Sequence, residues 1–290
     1  MHSRFLPMLV IVATSCLDPL TRQIDAGVIY VDSRLGNDAA DGTVASPLNQ
    51  YSGPVRTLQC AARRLCPGDV LVLANNGDPY YGSLSFVGPR HSGVPGLPMQ
   101  LIGNGATISG ARPIPPAAWR AVDLDVWSVT PLRKTYAQVS RAGQTLPTYE
   151  LPWPLHQLPN APADRWYLEE GRILFKTKPV DDPRLSPMEL ASEEVGLTLL
   201  GVEHIVIRDV TFRHFRLDGI NAHDRCRDVV LDNVVCEENG RAGIAVGGTS
   251  RVVIHNCLLT ENRRNSLLIT ELGQADVQES ELSPEPTVLE

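Results

Sequence analysis

The sequence predicts an all-β solenoid, a parallel β-helix, on three observations. Between Ile205 and Leu282 the chain repeats itself: IVIRDVTF from Ile205, VVLDNVVC from Val229, VVIHNCLL from Val252 and ADVQESEL from Ala275 follow one another at steps of 24, 23 and 23 residues. A period of this length marks stacked units that bury a shared core. Within each unit the apolar residues alternate, so Ile207, Leu231, Ile254 and Val277 form one column, Val210, Val234 and Cys257 a second, and Phe212, Cys236, Leu259 and Leu282 a third. Period-two alternation means strands with one buried face. Finally, the repeats contain neither a helix-length apolar segment nor the Leu-x-x-Leu-x-Leu pattern of a leucine-rich repeat.

Composition allows such a core and narrows the partners. With 43% hydrophobic and 20% charged residues the chain is neither disordered nor collagen-like. A net charge of -7 without a basic run argues against nucleic acid.

Residues 1–16 read as an export signal: Arg4 precedes the apolar run Phe5 to Ala13, then the small residues Thr14 and Ser15 before Cys16. The run is too short to span a membrane. Two processing routes stay open, ordinary signal cleavage and lipidation of Cys16 in a loose lipobox. The expected location is secreted, periplasmic or lipid-anchored in the cell envelope, with membrane attachment only through that lipid. Six cysteines less Cys16 leave an odd five, so no complete disulfide framework is expected.

Residues 28–112 hold the cap and the first coils. Ile29 to Asp32 is a strand, and GNDAADGT from Gly36 is a loop. Val55, Leu58, Ala61, Ala62 and Leu65 sit at helical spacing until Pro67-Gly68 stops the helix. A lone amphipathic helix before stacked strands is a cap, since the first coil otherwise exposes its apolar end. Val70 to Leu73, Leu84 to Phe86 and Met99 to Ile102 are the first coil strands.

Residues 113–187 break the pattern. They are rich in proline and contain all four tryptophans, Trp119, Trp127, Trp153 and Trp166, and all three lysines, Lys134, Lys176 and Lys178. This stretch is an inserted β-rich subdomain whose tryptophans, with Tyr136, Tyr149 and Tyr167, either stack on sugar rings or form its own core.

Coils occupy residues 188–283, followed by a tail, 284–290. The polar positions Asp209, Asn233, Asn256 and Glu279 mark the corner of each coil, where Asn and Asp bond the local backbone. A second strand per coil follows at Gly219, Gly243 and Ser266. Alternation assigns Gly219, Asn221, Gly243, Ala245, Ser266, Leu268 and Thr270 to its outer face. His214 and His255 are expected to be exposed and without metal-ligand spacing, and no zinc is expected. Cys236 and Cys257 are expected to pack as small hydrophobes.

With YVDSRLGNDAADGT, TLQCAARRLCPGDVLVL, GLPMQLIGNGATISG and the coils in view, the chain resembles the right-handed parallel β-helix (pectin-lyase-like) superfamily, especially its exported bacterial members. The resemblance implies a right-handed solenoid and a substrate lying along the outside of the Gly219, Gly243 and Ser266 strand. Families on this fold include polysaccharide lyases, glycoside hydrolases, uronan epimerases, esterases and silent adhesins, so the fold alone does not give the reaction.

The residues narrow the choice. Calcium takes six to eight oxygen ligands and this face offers no carboxylates of its own, so no cofactor or metal is expected and calcium lacks support in the sequence. A glycosidase pair on adjacent coils fails too, because Ala242 stands where a second acid would stack beside Asp218. Charge gathers at the preceding turn, where Arg216, Arg241 and Arg264 come from successive coils near Asp218 and Glu238. These arginines would hold the carboxylates of an anionic polysaccharide, or else pair among themselves in a solvated turn.

The segment Gly219-Ile220-Asn221-Ala222-His223-Asp224-Arg225 resembles the Asp-Pro-His segment of mannuronan C5-epimerases. His223 matches the histidine, while Asn221 and Ala222 replace the aspartate and proline. By that resemblance His223 would be the base, oriented by Asp224, with Arg241 as electrostatic partner and Arg216, Asp218, Asn221 and Arg264 binding substrate. Three functions stay open: a lyase or epimerase acting on a uronic-acid glycan, a noncatalytic glycan-binding surface module, and a structural spacer or adhesin. The enzyme needs Lys134, Lys176 or Asp181 of the insertion to reach the helix face; otherwise binding is favoured.

Overall fold

The computed structural model describes residues 26–148 and 162–289, so the export segment with Cys16, and also Tyr149 and Trp153, lie outside the described residues. Two parallel sheets stack coil upon coil. The first runs in the order Val28–Val31, Val70–Leu73, Met99–Ser109, Glu203–Arg213, Arg227–Glu237, Arg251–His255 and Gln274–Gln278. The second runs Leu84–Val87, Val195–Leu200, Asp218–His223, Ala242–Val246, Asn265–Thr270 and Thr287–Leu289. The tail therefore supplies a last short strand, Thr287–Leu289, beside Leu268–Thr270.

The apolar columns fall into register. Ile207 pairs with Leu231, Leu231 with Ile254 and Ile254 with Val277, while Phe212, Cys236, Leu259 and Leu282 form a second row. Ile207, Leu231 and Ile254 are fully buried, but Val277 is 39% exposed because no further described coil covers it. Asp209, Asn233, Asn256 and Glu279 all have φ between 48° and 55°, the left-handed conformation, and Asn104 at 52° occupies the same corner one coil earlier. Asn and Asp enter that region at least cost among non-glycine residues. The Asn233 amide also donates to the Asp209 carboxylate at 2.7 Å, linking corner to corner.

The cap is shorter than its spacing predicts. The helix is Leu58–Arg64, with Thr57 as N-cap accepting from the Cys60 N–H. Val55, placed on the helix by its spacing, instead bridges Val31 as an added strand residue. Leu58, Cys60, Ala61 and Leu65 join the core that runs the length of the coils. Among the described residues no helix is long and apolar enough to cross a membrane.

His255 is half-exposed, not partnerless. Its Nδ1 lies 2.8 Å from Asp232 and its Nε2 3.5 Å from Glu279 on the neighbouring coils. The bond to Asp232 raises its pKa above 6.5 against the opposing effect of desolvation, with the charges of Asp232 and Glu279 adding to the rise. A folded pKa above the unfolded one gives stability that is complete below the unfolded pKa and lost as pH rises through the folded one. Urea midpoints should therefore fall as pH rises from about 6.5, and His255→Gln should flatten that slope. An unchanged slope in the variant would mean that the histidine bridge contributes nothing.

The described residues of the insertion form two four-stranded antiparallel sheets whose strands run from Ala111–Pro113 to Met188–Ala191. Trp119, Trp127 and Trp166 are buried with Ile173, Phe175 and Met188, and Tyr167 is buried beside Val126 and Leu174. Of the two expected roles, these four rings take that of the core of a small subdomain: a unit this small excludes water with its largest side chains.

Candidate functional site

The second sheet's outer face is built differently from simple alternation. Its ladder pairs Asp218 with Ala242 and Ile220 with Ile244 but skips Gly219 and Gly243. A Cβ on Gly219 would meet Cys236 Sγ at 2.9 Å and the Asn239 amide at 3.0 Å, and one on Gly243 the Asn262 amide at 2.8 Å. Gly219, Gly243 and the fully buried Ser266 thus turn inward at the corner, correcting their outward assignment. Asn221, Ala245, Leu268 and Thr270 do line the outer face.

The inward turn makes room for a feature the sequence reading missed. Asn239 and Asn262, one coil apart, lie inside the solenoid. Asn262 Oδ1 accepts from both the backbone N–H and the amide of Asn239 at 3.0 Å, and the Asn239 amide also donates to Phe212 O at 3.2 Å. Asn239 Oδ1 accepts the Phe215 N–H at 3.0 Å, and Asn262 donates to Cys236 O at 2.8 Å. The recurrence of asparagine at a step of 23 was the available signal.

A cleft of about 330 Å³ opens over this strand, lined by Asn221, His223, Asp224, Arg241, Ala245, Leu268, Thr270 and Glu271. Arg241 is clamped by the Asp218 carboxylate through Nε at 2.8 Å and Nη2 at 2.5 Å. Asp218 is fully buried and also accepts from the Asn221 amide at 2.9 Å. The Asp218 bond raises the Arg241 pKa despite opposing desolvation. Asp218 supports the site from beneath and is not open to a ligand, while Arg241 presents a guanidinium held in one orientation.

His223 ends its strand with 41% of its side chain exposed, and its Nδ1 lies 3.6 Å from Asp224 Oδ1. That gap is longer than a hydrogen bond. Asp224, at φ 69°, occupies the following turn. Glu271 lines the same cleft and was not foreseen; it follows the last strand as Asp224 follows His223.

The three arginines of the turn separate. Arg216 is buried and donates to Glu194 at 2.7 Å and to Thr135 O and Oγ1 at 2.9 and 3.0 Å, outside the cleft. Arg264 lies over the Tyr136 ring, 4.9 Å from its centroid. Both contact the insertion: the buried Arg216 is thereby closed to substrate, while Arg264 stays exposed but is not among the residues lining the cleft. Arg263 donates to Ala137 O and lies over Trp166, and Arg213 donates to Gly143 O.

Among the described residues no charge of the insertion lines the cleft: Lys176 is buried against Asp125 at 2.5 Å, Asp181 pairs with Arg141 at 3.0 Å, and the Lys134 side chain packs over Gly171. His214 is buried, not exposed, with Nε2 3.0 Å from Glu238. Burial pushes the Glu238 carboxyl up, but the His214 bond and the Arg213 charge outweigh it and hold the pKa at about 2. Among the described residues no group of three or more His, Cys, Asp or Glu is arranged to hold a metal ion.

The family model of the right handed beta helix region matches residues 188–282. Among solved structures, the complex of XylC with xylose superposes with a TM-score of 0.58 at 10% identity, covering 87% of this chain, which spans 58% of that one. A protein described as a glycoside hydrolase superposes with a TM-score of 0.58 at 12% identity, over 85% of this chain and 68% of the other. No curated protein matches the sequence. At these identities the likeness is one of fold, and that fold is the right-handed parallel β-helix, which carbohydrate-active enzymes also use.

Proposed function

We propose that this chain is an extracytoplasmic polysaccharide-active protein that holds an anionic glycan in the cleft of Asn221, His223 and Arg241. One observation carries the reading: Arg241 is fixed by a fully buried carboxylate and lines an open cleft. Asp218 occupies Nε and Nη2 of Arg241, so a uronate carboxylate would meet the preorganised Nη1 edge, with His223 as a second polar contact, against the charges of Asp224 and Glu271. The apolar floor of Ala245 and Leu268 suits the C–H face of a sugar ring. The similar structures described as a xylose complex and a glycoside hydrolase give the fold a carbohydrate setting.

A second reading, proton abstraction by His223, is favoured by the presence of an exposed imidazole and Arg241 in the same cleft. His223 would take the proton from the carbon alpha to the uronate carboxylate while Arg241 offsets the charge that develops on the carboxylate. Loss of the 4-linked oxygen would then complete a lyase, and return of a proton to the opposite face an epimerase. Against it, Lys134, Lys176 and Asp181 stay within the insertion, so binding is the reading we favour.

Alginate, pectate and a neutral glucan should be presented to the mature protein in affinity gels, while ultraviolet absorbance and exchange of the C5 hydrogen are followed. Retention by a uronate polymer and not by the glucan is expected. Glu271→Gln should tighten it about 2-fold to 3-fold by removing a like charge from the cleft. Absorbance or exchange that His223→Ala abolishes would establish catalysis. No retention by either uronate polymer would sink the anionic-glycan reading for these sugars.

A further inference from the structure

A second cleft, sharing no lining residue with the first, lies where the first coils meet the insertion, and its chemistry differs. It encloses about 380 Å³, room for one or two sugar rings. One wall is a row of residues on successive strands: Tyr81 pairs with Ser109 and Ser109 with Arg213. Tyr80 points into the core and donates its hydroxyl to Val31 O and Ala74 O. Alternation therefore forces Tyr81 outward, where it is 56% exposed. The facing wall belongs to the insertion, with Glu189, Ala142 and Gly143.

Charge decides what such a cleft accepts. Arg213 is its one cation among the described lining residues, and it is already engaged by Glu238 at 2.5 Å, Glu237 at 3.5 Å and Gly143 O at 2.6 Å. Glu189 puts a carboxylate on the rim beside Asp78, which the exposed Arg34 approaches at 3.5 Å, and two carboxylates against one engaged lining cation disfavour a uronate or a phosphate. Glu189 accepts from the Tyr81 hydroxyl at 3.4 Å, a long bond that leaves acceptor capacity on its carboxylate. Burial, then the charges of Glu189 and Asp78, raise the Tyr81 pKa, so the phenol stays neutral and both carboxylates act on one ring.

We infer that this cleft binds a neutral sugar residue, with Tyr81 as the plate for its C–H face and Glu189 and Asp78 as acceptors for its hydroxyls. Aromatic stacking supplies apolar contact without charge, and a carboxylate accepting from a hydroxyl makes a charge-assisted bond. The inference does not depend on the anionic cleft, since the two ligand classes and the two residue sets are different.

The test is calorimetric titration of the full chain with xylotriose, cellotriose and mannotriose, and with trigalacturonate as the anionic comparison. At least one neutral trisaccharide should bind with a Kd below about 10 mM. Tyr81→Ala should weaken that binding about 10-fold or more and Glu189→Gln about 5-fold, with unchanged thermal midpoints. Tyr51→Ala, at an exposed tyrosine elsewhere, should leave it as in the parent. The inference is overturned if no neutral trisaccharide binds at that concentration, if Tyr81→Ala leaves binding intact, or if trigalacturonate is the ligand that Tyr81→Ala releases.

Discussion

Arg241→Ala should destabilise the protein by about 3 to 5 kcal/mol, the range for removing one partner of a buried ion pair. The cost arises because Asp218, with no solvent exposure, would keep only the Asn221 amide as a charge-compensating partner. The double substitution Asp218→Ala with Arg241→Met should recover most of that loss, since both charges go and the site becomes apolar. The register supports this: the neighbours of Asp218 on adjacent coils are Val195 and Ala242, so the solenoid already accommodates apolar residues in that row. Urea denaturation followed by circular dichroism measures both variants. A single-variant loss under about 1 kcal/mol would mean that solvent reaches Asp218 and that the clamp is not a rigid one. If the double variant folds well and no longer retains a uronate polymer, the ion pair serves the ligand, not the fold.

Asn239→Ala should cost about 2 to 4 kcal/mol. It removes the acceptor for the Phe215 N–H, the donor to Phe212 O and the donor to Asn262, in a place where water cannot substitute. A buried polar group left unpaired costs about 1 to 3 kcal/mol, and a shared network loses more than one bond at a time. Asn239→Asp is the sharper control: the shape is kept, but two amide donors are exchanged for a charge, and the loss should be at least as large. Equal stability of Asn239→Asp and the parent would show that water enters the corner.

These two sites also separate what the sequence conveys from what it does not. Ile207, Leu231 and Ile254 announced the coils because each presents a large apolar side chain to one face, and such a row has only one consistent register. The second strand misled at Gly219, Gly243 and Ser266, since residues with little or no side chain leave no trace of which way they face. Asn239 and Asn262 drew no notice, because nothing in one isolated asparagine distinguishes a solvated turn from a bonded interior ladder. The cleft was half legible. Asn221, His223, Asp224 and Arg241 meet in it, whereas Arg216 and Arg264 are diverted by an insertion that docks through Thr135 O, Ala137 O and the Tyr136 ring. Backbone acceptors carry no residue-type signal, and the rings of Tyr136 and Trp166 do not name the arginines they will meet.

The insertion also sets an order of events. The chain leaves the solenoid at Gly110 and re-enters at Ser192, and Gly110 O accepts the N–H groups of Ser192 and Glu193. Met99 then pairs with Ile205 across more than a hundred residues, whereas Ile205 meets Val229, and Val229 meets Val252, a single coil onward. Closing a long loop costs more entropy than closing a short one, and nearest-neighbour stacking rewards local growth. Sequence separation alone therefore favours stacking within the carboxy-terminal coils over closure of the seam. The seam between Met99–Ser109 and Glu203–Arg213 closes late, once the inserted sheets have brought Ala111 and Ala191 side by side.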